Sequence, residues 1–428
     1  MEAKDREIAS SQALVLDLPP SCVEFCPAHR SYFVVGTYNL QKEETTNVVK
    51  DDVSDSEDGH ETVKKPQSRN GSLVVFRLAE NAADVSHVQT VSYPSALFDL
   101  HFNPHPGKHE VLATVSSTGT LSFFRLSPRQ SSTAPLVKLA THRPLGDDEG
   151  TLFLSCAWHP SLPQLLAITT SDGQVHVLLV DDSWGVHRIS SSPIITHALE
   201  AWTVAFSPVV TTPQEIGNDI VPGDSQGLAI YSGGDDSKLL TTTCFYNRDE
   251  GKTAEGEDNT LTVPYPTATI KGHAAGVTAI LPLPLKIPDG LEVVVTGSYD
   301  DYVRVYSIQP QVGGVMLRPP KLLVEMDLGG GVWRLKLVRL DKRCEGDADS
   351  QTHWSALILA SCMHAGCRVL SISGDGCDSC QVDVLGRFEE HKSMNYGSDF
   401  QPGTELDGRP LRCVSTSFYD RLLCLWEF

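Results

Sequence analysis

The sequence predicts an all-β chain, a seven-bladed β-propeller closed by an N-terminal strand. Two observations carry this prediction. The first is a recurring hairpin pattern, two apolar runs of about 5–6 residues around a turn of Gly, Asp or Ser. It stands at residues 111–126 (VLATVSSTGTLSFFRL), 165–180, 228–245, 293–308, 357–372 and 411–428. A diverged copy comes first, at 32–39 (YFVVGTYN) and 73–78 (LVVFRL), with an insert between its strands. The second observation is a further strand ahead of each hairpin, at 22–27, 97–104, 153–160, 202–208, 277–282, 332–337 and 396–402. Seven units result, and their strand starts lie 49 to 75 residues apart. A period near 45 residues with four strands per unit signals a propeller. No 3.6-residue apolar stripe runs beyond about ten residues, so helices are not expected.

The remaining segments are justified in chain order. Residues 11–18 (SQALVLDL) are strand-like, and the chain stops inside the third strand of its last unit. Pairing the two ends supplies the missing fourth strand and removes an open sheet edge. The whole of 1–428 is therefore expected to be one domain, with inserts at 41–70, 211–227, 247–262 and 341–352. The insert 41–70 is polar and acidic, is expected to be disordered, and should emerge on the face of the second-to-third-strand turns.

Composition narrows the function. Lys plus Arg is 34 against 54 Asp plus Glu, a net charge of −20, which argues against nucleic acid as a partner and favours a basic protein or cationic group. Hydrophobic content is 40%, enough for a full-sized core. No apolar run reaches the ~18 residues of a membrane span. The charged start Met1–Glu7 lacks a secretory h-region, and eleven irregularly spaced cysteines read as reduced thiols. A cytoplasmic location is expected.

Within the units, Lys271-Gly272-His273 with Ser298, Asp300 and Tyr306 resembles the structural tetrad of WD-repeat propellers, although no unit ends in Trp-Asp. A narrower set of strings is YSGGDD at 231–236, TGSYDD at 296–301, GGVWR at 330–334, ASCMHAG at 360–366 and HKSMNYG at 391–397. Together with Glu200-Ala201-Trp202 and Val23–Pro27, their order resembles the diphthine methylesterase family of the diphthamide pathway. The resemblance implies hydrolysis of a methyl ester on a modified histidine of translation elongation factor 2, giving diphthine for a final amidation. No cofactor and no metal are expected. The alternative is a non-catalytic scaffold that presents a protein substrate to a partner complex. A methyltransferase would need a glycine-rich cofactor loop between a strand and a helix, and the sequence has none.

Aligning the hairpin turns makes Asp235, Tyr299, His364 and Tyr419 equivalent, and makes Trp202 and Trp333 equivalent ahead of the innermost strands. Acids, a histidine and aromatics are thus expected around one channel mouth. The substrate implied by the resemblance carries a trimethylammonium group, which suits the aromatic faces of Trp202, Trp333 and Tyr299 and the carboxylates of Asp235 and Asp301. His364 is the candidate general base, Asp235 and Asp301 are the alternative bases, and Arg334 or the amides of Gly330 and Gly331 are candidate oxyanion donors. Each also has a structural reading: the turn aspartates brace turns, the tryptophans pack, and Arg334 pairs with a carboxylate. Two motifs are set aside. Gly223–Gly227 has the G-x-S-x-G spacing around Ser225, but a nucleophile elbow needs a strand before the serine and a helix after it. Cys377 and Cys380 have zinc-like spacing, yet Cys362 and Cys367 fall a strand-length away.

Overall fold

The computed structural model describes residues 5–40, 69–79, 84–211, 225–247, 261–285, 290–311, 316, 318–344, 352–376, 379–404 and 410–428. The described elements are strands, arranged as seven sheets. Each sheet is one blade, built in chain order from its innermost strand outward. The innermost strands are Pro20–Phe25, Leu97–Phe102, Phe153–Trp158, Ala201–Thr211, Val277–Pro282, Arg334–Cys344 and Gly397–Phe400, in blades 1 to 7. They meet one another around a ring in this order, and the last meets the first. Blade 6 begins two residues later than expected and its inner strand runs longer.

The blades form because their strands alternate branched and aromatic residues, and blade faces then stack. Val293, Val295, Val303 and Val305 of blade 5 pack on Ile358, Ile372 and Leu370 of blade 6. Phe33 and Phe76 of blade 1 stack on each other at 5.3 Å and pack beside Leu423 and Leu425 of blade 7. The left-handed turn residue comes at Ser237, Asp301, Gly366 and Arg421 in blades 4 to 7. This supports the turn alignment made from sequence.

Ring closure follows the sequence expectation. Ser10–Val15 pairs antiparallel with Leu422–Glu427 as the fourth strand of blade 7. An unforeseen addition precedes it: Arg6–Ile8 pairs in parallel with Ser379–Phe388 of blade 6. Ile8 is buried there with Phe388 and Trp426. Residues 41–68, most of the acidic insert, lie outside the described residues. So do 212–224, 248–260 and 345–351. The flanks Asn39–Leu40 and Arg69–Asn70 pair with each other, so the insert leaves blade 1 on the face of the second-to-third-strand turns.

The tetrad expected in blade 5 is only partly formed. His273 Nε2 lies 2.9 Å from Thr296 Oγ1, and Ser298 Oγ donates to the Ala275 carbonyl at 3.1 Å. Asp300 instead accepts from Ala274 N and pairs with Arg304 at 2.9 Å. Burial lowers the pKa of His273 to about 4, so it is neutral and competes poorly with a guanidinium for the carboxylate. The His–Ser–Asp arrangement appears in blade 4, where His197 contacts Asp236 at 2.9 Å and Ser232 at 3.0 Å. Blade 7 forms a His391–Ser415–Trp426 version, with the indole donating to Ser415 Oγ at 3.0 Å.

Candidate active site

The inner strands begin on the face of the second-to-third-strand turns, and aromatic rings gather there. Trp202 and Phe98 fall at register shifts just inside blades 4 and 2. Such bulges re-aim a side chain out of the pleat. Trp333 and Tyr396 immediately precede the inner strands of blades 6 and 7. Turn residues Tyr299, Phe418 and Tyr38 fill the gaps. Ring centroids lie 5.7 Å apart for Trp202–Trp333, 6.2 Å for Trp202–Tyr299 and 5.8 Å for Tyr299–Trp333. The chain of rings continues through Trp333–Tyr396 at 5.0 Å, Tyr396–Phe418 at 5.6 Å, Phe418–Tyr38 at 5.9 Å and Tyr38–Phe98 at 5.3 Å. This collar is half-buried. Its acid is Asp235, whose Oδ1 accepts the Trp202 indole N–H at 3.0 Å. The Trp333 indole N–H is shielded from water and has no hydrogen-bond partner among the described residues.

Beneath the collar lies a channel of about 450 Å³. Tyr396 both joins the collar and lines this channel, while Pro104, Pro160, Pro208 and Pro284 line its far end. Its walls differ. Blades 3 to 5 present small or apolar side chains, including Ala157, Ala205, Ala279 and Leu281. Blades 6, 7, 1 and 2 present charge. Arg334 donates to both oxygens of Asp99 across the channel, at 2.8 and 3.4 Å. Asp99 lies 3.3 Å from His101 Nε2, and His101 Nδ1 lies 2.6 Å from Glu24. Glu24 also meets Lys336 at 3.0 Å, and Lys336 reaches Asp399 at 3.5 Å. Backbone and hydroxyl donors complete the carboxylates: Ser155 Oγ and Cys156 N to Asp99, Phe102 N to Glu24, Phe25 N to Asp399.

Burial alone would neutralise such groups, and their partners reverse this for most of them. Burial opposes ionisation of His101, but the Asp99 and Glu24 charges outweigh it and raise its pKa to about 9. Burial likewise opposes ionisation of Glu24, yet Lys336 and His101 hold it at about 2. Asp99 is held low by Arg334 and His101 against burial, and Lys336 is held high by Asp399 and Glu24. Asp399 is the exception. Burial raises its pKa, Lys336 does not fully offset this, and the Glu24 charge adds to the rise. The neighbouring Cys22 thiol is pushed up to about 12 by burial, so it is no thiolate nucleophile.

The sequence-predicted residues therefore divide. Trp202, Tyr299, Trp333 and Asp235 come together. Arg334 follows Trp333 in the chain but lines the channel below, paired with Asp99. Asp301 takes the left-handed turn position at φ 70°, where it substitutes for glycine, and its side chain is half-buried. His364 is exposed at the blade 6 turn, and no hydrogen bond or ion pair joins its ring to a described residue. Gly330 and Gly331 pack on that turn; a Cβ on Gly330 would come 2.4 Å from the Cys362 carbonyl oxygen. Ser225 is buried on the opposite face, and its hydroxyl has no hydrogen-bond partner among the described residues. Cys377 lies outside the described residues, and no group of metal ligands occurs among those described.

Glu24, Asp99, His101, Lys336 and Asp399 were missed in the sequence reading. The signal for them was present. A buried inner strand should read apolar on its channel face, yet FDLHF at 98–102 and RLKL at 334–337 place charges at alternate positions.

Comparison with known proteins follows the same line. A family profile described as "WD domain, G-beta repeat" matches residues 264–307, which contain most of blade 5. A protein of Schizosaccharomyces pombe named diphthine methyltransferase is 28% identical over 412 residues, covering 96% of this chain and 95% of that protein. The mouse protein of that name is 27% identical over 402 residues, covering 91% of this chain and 69% of its own. The human one is 26% identical over 407 residues, covering 91% and 74%. The chain is thus a WD-repeat propeller and a homologue, along nearly its whole length, of proteins named diphthine methyltransferase.

Proposed function

We propose that this protein acts on the methyl group of methylated diphthine in diphthamide biosynthesis, and that it does so by hydrolysing the methyl ester carried by translation elongation factor 2. The observation that carries this reading is the collar. Trp202, Tyr299 and Trp333 offer faces to a fixed cation, at ~0.5–2 kcal/mol each, and Asp235 adds a carboxylate beside them. A trimethylammonium group fits that chemistry. Hydrolysis needs a water made nucleophilic and an electrophile for the oxyanion. Water adds to the ester carbonyl, methoxide leaves and takes a proton as methanol, and the acid produced ionises to a carboxylate. Arg334 is the proposed oxyanion donor. His364 is the proposed base at the rim, with Asp235 and Asp301 as the other candidates. Nine of the eleven cysteines are free thiols, which fits a reducing, cytoplasmic setting.

The relatives' name favours a second reading, transfer of a methyl group to diphthine. One experiment separates them. Purified protein is incubated with methyl-esterified elongation factor 2 and, separately, with the ester-free form plus a methyl donor. Loss of 14 Da with methanol release supports hydrolysis. Gain of 14 Da in the second arm supports transfer. No change in either, with the factor still bound, leaves a scaffold role.

A further inference from the structure

The charged wall of the channel is not needed for a cation collar, and it has unspent donors. Lys336 has three N–H groups, and two meet Glu24 and Asp399. Arg334 has five, and its two contacts to Asp99 leave others free. Both side chains line the cavity. His101 differs: each of its ring nitrogens faces a carboxylate, so it braces the wall and offers nothing outward. Three cations thus face Asp99, Glu24 and Asp399. Burial raises the pKa of Asp399 and the Glu24 charge adds to the rise, so of the three carboxylates it is the one held least firmly in its charged form.

The collar and this wall adjoin. Trp333 and Arg334 are consecutive, with Cα atoms about 3.8 Å apart. Tyr396 touches Trp333 at 5.0 Å and lines the channel. A cavity of about 450 Å³ falls in the size range of small-ligand sites. Opposite the charges, Ala157, Ala205, Ala279 and Leu281 supply an apolar wall for methyl groups or an aliphatic stem.

We infer that Arg334 and Lys336 form a carboxylate subsite beneath the collar, so that collar and channel together recognise a zwitterion whose quaternary ammonium and carboxylate are carried on one carbon. This rests on the functional reading above and deepens it. The methyl ester would enter as a neutral acceptor, and its cleavage would create the anion that the subsite fits best. The released acid should therefore be held more tightly than the ester.

The test is binding of three small probes to the full chain, followed by ligand-observed NMR: glycine betaine (quaternary ammonium plus carboxylate), choline (ammonium without carboxylate) and acetate. Betaine should bind about tenfold more tightly than choline, the weight of one charge-assisted hydrogen bond. Lys336→Met should erase that advantage and leave choline binding unchanged, which also reports that the variant is folded. Lys336→Arg should restore it. Trp333→Ala should weaken betaine and choline alike. Betaine binding no tighter than choline in the wild type overturns the subsite, whatever the esterase assay gives. An unchanged advantage in Lys336→Met does the same. If Lys336→Met does not fold, the wild-type ratio and Lys336→Arg decide. A negative esterase assay with the betaine pattern intact overturns hydrolysis and keeps the subsite.

Discussion

The collar and the charged wall lie one above the other, and they are built on opposite principles. The collar rings touch one another edge-on or tilted, are half-buried, and have a single hydrogen bond to a carboxylate, Trp202 to Asp235. Each can be altered while its neighbours keep their places. In the wall, Asp99, His101, Glu24, Lys336 and Asp399 each have at least two polar partners, Arg334 grips Asp99 through two donors, and one chain of contacts runs from Arg334 to Asp399. Removing one member leaves the next without its partner inside the channel. A site can thus carry adaptable recognition on a rigid electrostatic floor.

The largest expected effect breaks the wall. Asp99→Ala leaves Arg334 and His101 without their shared carboxylate and should cost ~3–5 kcal/mol in denaturant unfolding, the usual toll of orphaning a buried charge. A loss below about 1 kcal/mol would mean that water reaches the wall freely and that the two regions do not differ as described. Trp333→Ala should cost less stability than Asp99→Ala, because the ring is partly exposed, but should weaken binding of a quaternary ammonium by roughly tenfold. Equal stability losses for the two variants would erase the contrast.

A pH series sharpens it further. The His101 pKa is raised from 6.5 to about 9, so its stabilisation is complete below pH 6.5 and is lost as pH rises toward 9. Glu24 is lowered from 4.5 to about 2, so its share is complete above pH 4.5 and is lost as pH falls toward 2. The melting-temperature gap between wild type and His101→Gln should therefore be widest near pH 5–6 and shrink by pH 9. For the collar variant Trp333→Ala the corresponding gap should stay flat over that range. The smallest effect is Ser225→Ala. Its hydroxyl is buried without a partner among the described residues, so stability should change by less than about 0.5 kcal/mol and ester hydrolysis not at all.

The blades were legible because each repeats the same strand and turn chemistry, and repetition averages out local exceptions. Three rings of the collar were legible for a related reason, since Trp202 and Trp333 stand at equivalent positions and Tyr299 at a turn, whereas Tyr38, Phe98, Tyr396 and Phe418 were not. The wall has no repeat. Glu24, Asp99, His101, Lys336 and Asp399 come from four blades, and only closing the ring brings residues 24 and 399 to one side chain, Lys336. The tetrad in blade 5 misled for a local reason, since Arg304 draws Asp300 away from His273. His364 was picked out because its turn lacks an aspartate, and the fold leaves that ring in solvent without an orienting partner.

The clasp between the two ends of the propeller has a consequence for synthesis. Ser10–Val15 is synthesised about four hundred residues before its antiparallel partner Leu422–Glu427. The segment Arg6–Ile8 likewise waits for Ser379–Phe388. Until then a growing chain displays an unpaired apolar edge, and the charged wall is incomplete, because Lys336 and Asp399 follow Glu24 by more than three hundred residues. Contacts of such sequence separation form slowly, and an exposed strand edge invites aggregation meanwhile. A nascent propeller of this kind should depend on holding factors through most of its translation, and a circular permutant opened between two other blades should shift that dependence to a different stretch of the message.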